Sequence, residues 1–264
     1  MKSFHPVLVA LSCVLLAVAA AGLPAPTTSG DRQHEDVPGP VEPDNQVSTV
    51  SPTASSVSSI AGALFIDGTH YCTASVVDSP GGNLVLTAAH CIHNGESGYR
   101  TGISFVPGYH EGAAPYGVWT ATRLFVDPRW AADSDPDLDF GFLTVYQTGN
   151  PSSLESETGA NRLGTDRGFA NLVTLSGYPD DSETPVVCQD TTTREDTYQT
   201  RIDCPGFPDG TSGGPWVIGA GARGGGTVVG VIGGYQEGGD TADVSYSSYF
   251  DQDIATLYKT AIKG

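Results

Sequence analysis

From Ile60 onward the chain is a succession of short apolar, β-rich runs, each closed by glycine or another turn former. GALFI, TASVV, LVLTAAH, GISFV, VWTATRLFV, FGFLTVY, NLVTLSGY and GTVVGVIGG follow one another at close intervals. Many short strands with turn residues between them predict an all-β sandwich or barrel. No internal repeat of fixed period and no heptad pattern interrupts the series. One helix is predicted, at the very end: in SSYFDQDIATLYKTAIKG, residues Ile254, Leu257, Tyr258, Ala261 and Ile262 share a face at 3,4 spacing. Asp251 or Ser248 is placed to cap it, and lysines lie near its C-terminus.

Two stretches precede this region. Lys2 supplies a positive charge, Pro6 to Ala21 form an apolar run, and small residues surround Ala19 and Ala21. Residues 1–21 therefore read as a secretory signal peptide. The run is shorter than a bilayer-spanning helix needs and none of that length follows, so no membrane anchor is expected. Residues 22–58 turn to Pro, Ser, Thr, Asp and Glu with few large apolar side chains. Such a segment buries too little surface to offset its ordering entropy, and is expected to be a disordered linker or prosegment.

Export makes the cysteines interpretable. The chain has five, and removing Cys13 with the signal leaves Cys72, Cys91, Cys188 and Cys204. An even number in an oxidising setting predicts disulfides, in any of three pairings. The close Cys-x-x-Cys spacing of zinc sites is absent. A formal charge of -18 with no visible basic patch excludes nucleic acid as a partner. The acidity suits a soluble extracellular protein without identifying a substrate.

Three segments carry candidate chemistry, in the order histidine, aspartate, serine. LTAAHC places His90 after a strand and two alanines. An imidazole takes and returns a proton near neutral pH, as a general base must. Of the six histidines, His5 lies in the signal and His34 in the linker, and His70, His93 and His110 lack a supporting context. DLDFGFLTV offers Asp139, leading into an apolar strand, with Asp137 as its competitor. The run Asp133, Asp135, Asp137 has the spacing of a calcium loop but lacks its glycine and terminal glutamate, so a solvated acidic turn is expected. PDGTSGGPW presents Ser212 among glycines. A serine hydroxyl needs an adjacent base and donors for the oxyanion it creates.

These segments, in this order, resemble the chymotrypsin-like serine proteases over about 200 residues, from near Ile60 to the terminal helix. The resemblance implies two six-stranded antiparallel β-barrels followed by a C-terminal α-helix. The peptidase domain would cover 59–264, with barrel one at about 59–150, barrel two at about 165–247 and the helix at 250–262. It implies a His90–Asp139–Ser212 triad, with backbone N–H groups of Gly210 and Ser212 as the oxyanion hole. HYCTASVV resembles the family's first-barrel strand, whose cysteine bridges to the one after the histidine, implying Cys72–Cys91. A second-barrel disulfide, Cys188–Cys204, follows in the same way. The implied activity is a secreted serine endopeptidase acting on proteins or peptides as a monomer, with no cofactor and no metal. An inactive protein-binding homologue and an esterase using the same serine are the alternatives. The order histidine before serine argues against an α/β-hydrolase.

LSGYP, Leu175 to Pro179, is similar to a segment of the glutamyl endopeptidases, as is the absence of aspartate before the serine. Those enzymes carry a histidine on the strand after the nucleophile loop, here VVGVIGGYQ, Val228 to Gln236. Ile232 falls at that position, and the chain has no lysine between Lys2 and Lys259. A buried acidic side chain would lack its partner there. Trypsins place an aspartate where this chain has Gly206. The expected pocket residues are Gly206, Asp209, Ile232, Gly233, Gly234 and Tyr235, with a preference for uncharged, small or apolar side chains. Digestive members also pair the aspartate before the serine with a new N-terminus, and Thr211 stands at that position.

Overall fold

The computed structural model describes residues 49–50, 58–221 and 225–263. The expected signal peptide at 1–21, with Cys13, and most of the expected linker at 22–58 lie outside them.

The first half closes into a barrel. Its strands are β2 (Ala61–Ile66), β3 (Thr69–Val77), β4 (Leu84–Thr87), β5 (Ser104–Pro107), β6 (Trp119–Val126) and β7 (Gly141–Tyr146). They pair in the ring order β2-β3-β4-β7-β6-β5, with β5 returning to β2. The β2–β3 hairpin turns on Asp67–Gly68, both left-handed at φ 51° and 80°. This is the Asp-Gly signature of a tight hairpin whose twist matches its strands. By register Leu64, Val76, Val85, Phe105 and Leu143 share the inner face of the barrel wall and have no solvent exposure.

The second half is built differently. β1 (Thr49–Val50), β8 (Arg162–Leu163), β9 (Leu172–Gly177), β10 (Val186–Thr191), β13 (Pro215–Ile218) and β14 (Thr227–Val231) form a six-stranded sheet, ordered β1-β10-β9-β13-β14-β8. β11 (Thr193–Arg194), β12 (Gln199–Ile202) and β15 (Ser245–Ser248) form a separate three-stranded sheet. Two details depart from the expected antiparallel barrel and disordered linker. The short β8 runs parallel to β14. Thr49 and Val50, from the segment expected to be disordered, pair with Cys188 and Val187. An open sheet edge offers unpaired N–H and C=O groups to any extended segment, which is what β10 provides.

Short helices α1 (Ala89–Ile92), α2 (Pro128–Asp133) and α3 (Leu154–Thr158) punctuate the loops, and α4 (Gln252–Ala261) closes the chain. Asp251 caps α4 by accepting from the Asp253 N–H at 2.7 Å. Ile254, Leu257 and Ala261 are buried on its inner face, where side chains of Leu or Ile size each contribute about 1.5–3 kcal/mol. Tyr258 packs on Phe142 and donates its hydroxyl to the Asp78 carbonyl at 2.8 Å, fastening the helix to the first barrel.

Candidate active site

His90 lies in α1, immediately after β4, so the barrel wall fixes where its turn begins. Ala88 and Ala89 are fully buried beneath it. The disulfide Cys72–Cys91 ties this turn to β3, with Cα atoms 6.1 Å apart. A loop of that size constrains the unfolded chain by roughly 3 kcal/mol. The Cys188–Cys204 disulfide joins β10 to the loop that leads toward Ser212.

Asp139 is completely buried and receives three hydrogen bonds. Its Oδ2 sits 2.8 Å from His90 Nδ1, its Oδ1 accepts from the His90 backbone N–H at 3.0 Å, and Oδ2 also accepts from Gly234 N–H at 2.8 Å. The Asp139 backbone is held in turn, its N–H donating to the Ser248 hydroxyl at 3.1 Å. Asp137 faces elsewhere: its Oδ1 accepts from the Gln199 side-chain amide at 2.7 Å. Gln199 also donates to the Pro136 carbonyl and accepts from Tyr235 N–H, which knits the acidic turn to the loop after β14. The His90 side chain is 15% exposed. Burial of the imidazole opposes its protonation, but the charge and hydrogen bond of Asp139, helped by the charge of Glu237, raise its pKa above the usual value.

Ser212 lies on a glycine loop docked against the first barrel. Thr73 of β3 is the fastener, although nothing in the sequence marked it. Its N–H donates to the Ser212 carbonyl at 2.7 Å and its hydroxyl to the Gly210 carbonyl at 3.0 Å, while Tyr178 N–H donates to that hydroxyl at 2.8 Å. The sulfur of Cys91, the residue after His90, lies 3.6 Å from the Ser212 carbonyl. Gly213 is left-handed at φ 81°, and a Cβ there would stand 2.1 Å from the Thr87 hydroxyl. Only glycine lets the loop approach β4 so closely. Within the loop, Thr211, Gly213 and Gly214 N–H groups donate to carbonyls of Pro208, Ile232 and Thr211. Among the described residues, the Gly210 and Ser212 N–H groups have no such acceptor. Thr211 is buried, and its hydroxyl donates to the Pro208 carbonyl at 2.6 Å.

A cavity of about 460 Å³ opens beside Ser212. Of the expected pocket residues, Asp209 and Ile232 line it. Gly206, Gly233, Gly234 and Tyr235 do not. Gly233 and Gly234 lie against Asp139: a Cβ on Gly233 would meet its Oδ2 at 3.0 Å, and Gly234 supplies the hydrogen bond given above. Tyr235 stands 46% exposed with its ring edge-on to Tyr246. The reason is local. The strand expected over Val228–Gln236 ends at Val231, and Tyr235–Gly238 folds into a 3-10 turn. Gln236 and Glu237 are both left-handed there, each at φ 53°, which turns Glu237 into the cavity. Residues 236–242 contribute much of the lining that the sequence did not reveal.

Cys72, His90 and Cys91 are the described group with metal-ligand spacing. The two sulfurs are bonded to each other and offer no thiolate, so these donors do not fit a metal.

A closed six-stranded barrel joined to a second β unit and a C-terminal helix is the chymotrypsin-like fold. The chain belongs to the trypsin-like peptidase domain family, whose sequence profile matches residues 72–231. The crystal structure of the protease Anisep from Arthrobacter nicotinovorans is similar at 28% identity and TM-score 0.72, covering 82% of this chain and 100% of that one. A Glu endopeptidase structure shares the fold at 21% identity and TM-score 0.64, over 85% of this chain and 100% of that one. Among curated proteins, the glutamyl endopeptidase of Bacillus licheniformis is 33% identical over 105 residues, 38% of this chain and 31% of that protein. The extracellular metalloprotease of Bacillus subtilis is 24% identical over 123 residues, 47% of this chain and 38% of that protein. The matches thus span about a third of the length of these curated relatives. Among the described residues, no helix is long and apolar enough to cross a membrane.

Proposed function

We propose that this protein is a secreted serine endopeptidase that cleaves proteins or peptides through an acyl-enzyme. The observation that carries the reading is the buried Asp139–His90 pair at 2.8 Å, set against a serine loop with two unspent backbone N–H groups. In this reading Asp139 holds the imidazole with Nδ1–H toward it, leaving Nε2 as the base for Ser212. The Ser212 oxygen attacks the peptide carbonyl while His90 takes its proton. The oxyanion that develops is received by the Gly210 and Ser212 N–H groups, and His90 then returns the proton to the leaving amine. A water attacks the acyl-enzyme by the same sequence, with His90 again as base. Donors that are already fixed and unpaired need no reorganisation when the charge appears.

The test is covalent. A neutral serine-directed organophosphonate, followed by peptide mapping, is expected to place one adduct on Ser212 and to abolish casein hydrolysis. Casein hydrolysis persisting with Ser212 unlabelled would overturn the assignment. Labelling with no hydrolysis of casein, but turnover of simple esters, would move the protein to the esterase alternative.

A further inference from the structure

The cavity beside Ser212 carries a charge pattern that the sequence alone did not predict. Its apolar surface comes from Phe207, Pro208 and Ile232, and its charges from Asp209, Glu237 and Asp240. All three charges are negative, and no lysine, arginine or histidine lines the cavity among the described residues. None of the three carboxylates forms a salt bridge to a described residue. Asp240 accepts a hydrogen bond from the Gln236 amide at 2.5 Å, whereas the Glu237 carboxylate has no hydrogen-bond donor among them. Arg100 shares the adjoining His90 cleft with Glu237. Its guanidinium is engaged over the Tyr71 ring and with the His90 carbonyl at 3.4 Å.

We propose that this cavity takes a cationic side chain, arginine or lysine, on the residue whose carbonyl Ser212 attacks, and that Glu237 is the residue that selects it. The inference rests on the serine endopeptidase reading above, which supplies the ligand: a peptide acylating Ser212 must lodge a side chain in the cavity that opens there. The aliphatic stem of lysine or arginine would lie along Ile232 and Phe207 with its charged head among the acids. Glu237 leads because it lines both this cavity and the His90 cleft, and its left-handed backbone holds it at their junction. An acidic substrate side chain would add a like charge to three carboxylates that no described cation neutralises, and repulsion is a source of specificity as well as attraction. Two of the three charges therefore enter from the segment after β14, while Gly206 stays outside the cavity. This replaces the expected preference for uncharged, small or apolar side chains.

The experiment measures kcat/KM on peptide amides that differ only in the residue before the scissile bond: arginine, lysine, glutamine, leucine or glutamate. Arginine and lysine are expected to lead glutamine and leucine by about tenfold or more, with glutamate slowest. Glu237→Gln is expected to cut the arginine-to-glutamine ratio several-fold. The preference should shrink as ionic strength rises, because the carboxylates are solvent-accessible. In parallel, Ser212→Ala is titrated with p-aminobenzamidine, a cationic fluorescent probe, which reads the cavity without catalysis. Binding that weakens several-fold when Glu237→Gln is added supports the proposal. Phosphonate labelling of Ser212 with a leading leucine or glutamate substrate would overturn the specificity and leave the peptidase reading intact. Failure of labelling and of all hydrolysis would overturn the peptidase reading, and absence of probe binding would then overturn the cationic pocket as well.

Discussion

Asp139 and Glu237 are both carboxylates near His90, and they are held in opposite ways. Asp139 is fully buried, with every contact specified: two hydrogen bonds from His90, one from Gly234, and a backbone tether to Ser248. Glu237 is exposed, has no salt bridge or side-chain hydrogen bond among the described residues, and is carried on a left-handed turn between glycines. In the proposed reading the difference separates two tasks. A group that orients a base must not move, and a buried carboxylate persists only when its charge is fully satisfied. A group that greets a substrate must be unspent before the substrate arrives.

The largest effect is expected on the buried side. Asp139→Asn keeps the volume but reverses the hydrogen-bond preference at His90 Nδ1, and should lower kcat by about 10⁴-fold, the scale of the equivalent loss in serine proteases. Asp137→Asn retains an oxygen for the Gln199 amide and should change kcat little. If the two effects were exchanged in a casein or peptide assay, Asp137 would be the orienting acid and the contrast between Asp139 and Glu237 would collapse.

The next effect is read from pH. As the proposed base, His90 must be neutral to accept the Ser212 proton, and its pKa is raised: burial opposes protonation, while Asp139 and then Glu237 favour it and Arg100 opposes it. The sign follows directly. In acid, kcat/KM should fall about tenfold per pH unit, and the limb should lie above the ordinary imidazole value of about 6.5. For stability the direction is reversed: protonated His90 favours the fold below the unfolded-state pKa, and that contribution is lost as pH rises through the folded one. A limb at or below 6.5 in the pH profile of kcat/KM would show that Asp139 and Glu237 do not outweigh burial.

What was legible in the sequence divides along the same line. His90, Asp139 and Ser212 each sit in a segment whose neighbours are dictated by close packing, such as Ala88 beneath the histidine turn and Gly213 against Thr87. Packing of that kind leaves a local signature. The terminal helix was legible for a related reason, since its buried face repeats at 3,4 spacing. Glu237 left no such mark, because its place depends on β14 stopping at Val231 and on two non-glycine residues adopting left-handed backbone. Thr73 was equally hidden, because its role arises from contacts to Gly210, Ser212 and Tyr178, far away in the chain. The added strand Thr49–Val50 came from a stretch whose composition gave no reason to expect pairing.

The smallest expected effect concerns Thr211, which stands where digestive members of the family carry a third carboxylate, paired with a new N-terminus. Here the position is neutral and satisfied within its own loop: the Thr211 hydroxyl donates to the Pro208 carbonyl, and its side chain packs against Gly177. Thr73 supplies the remaining anchor from the first barrel. We propose that the loop is ordered by these neutral contacts, so that a terminal ammonium is not part of the switch to activity. Secreted forms whose N-termini differ by several residues upstream of Thr49 should therefore have the same kcat/KM on one peptide substrate. A loss of about tenfold or more on extension, equivalent to roughly 1.4 kcal/mol, would mean that a free N-terminus orders the site. The nucleophile loop would then depend on a charge pair after all, placing it with Asp139 among the sites that need one.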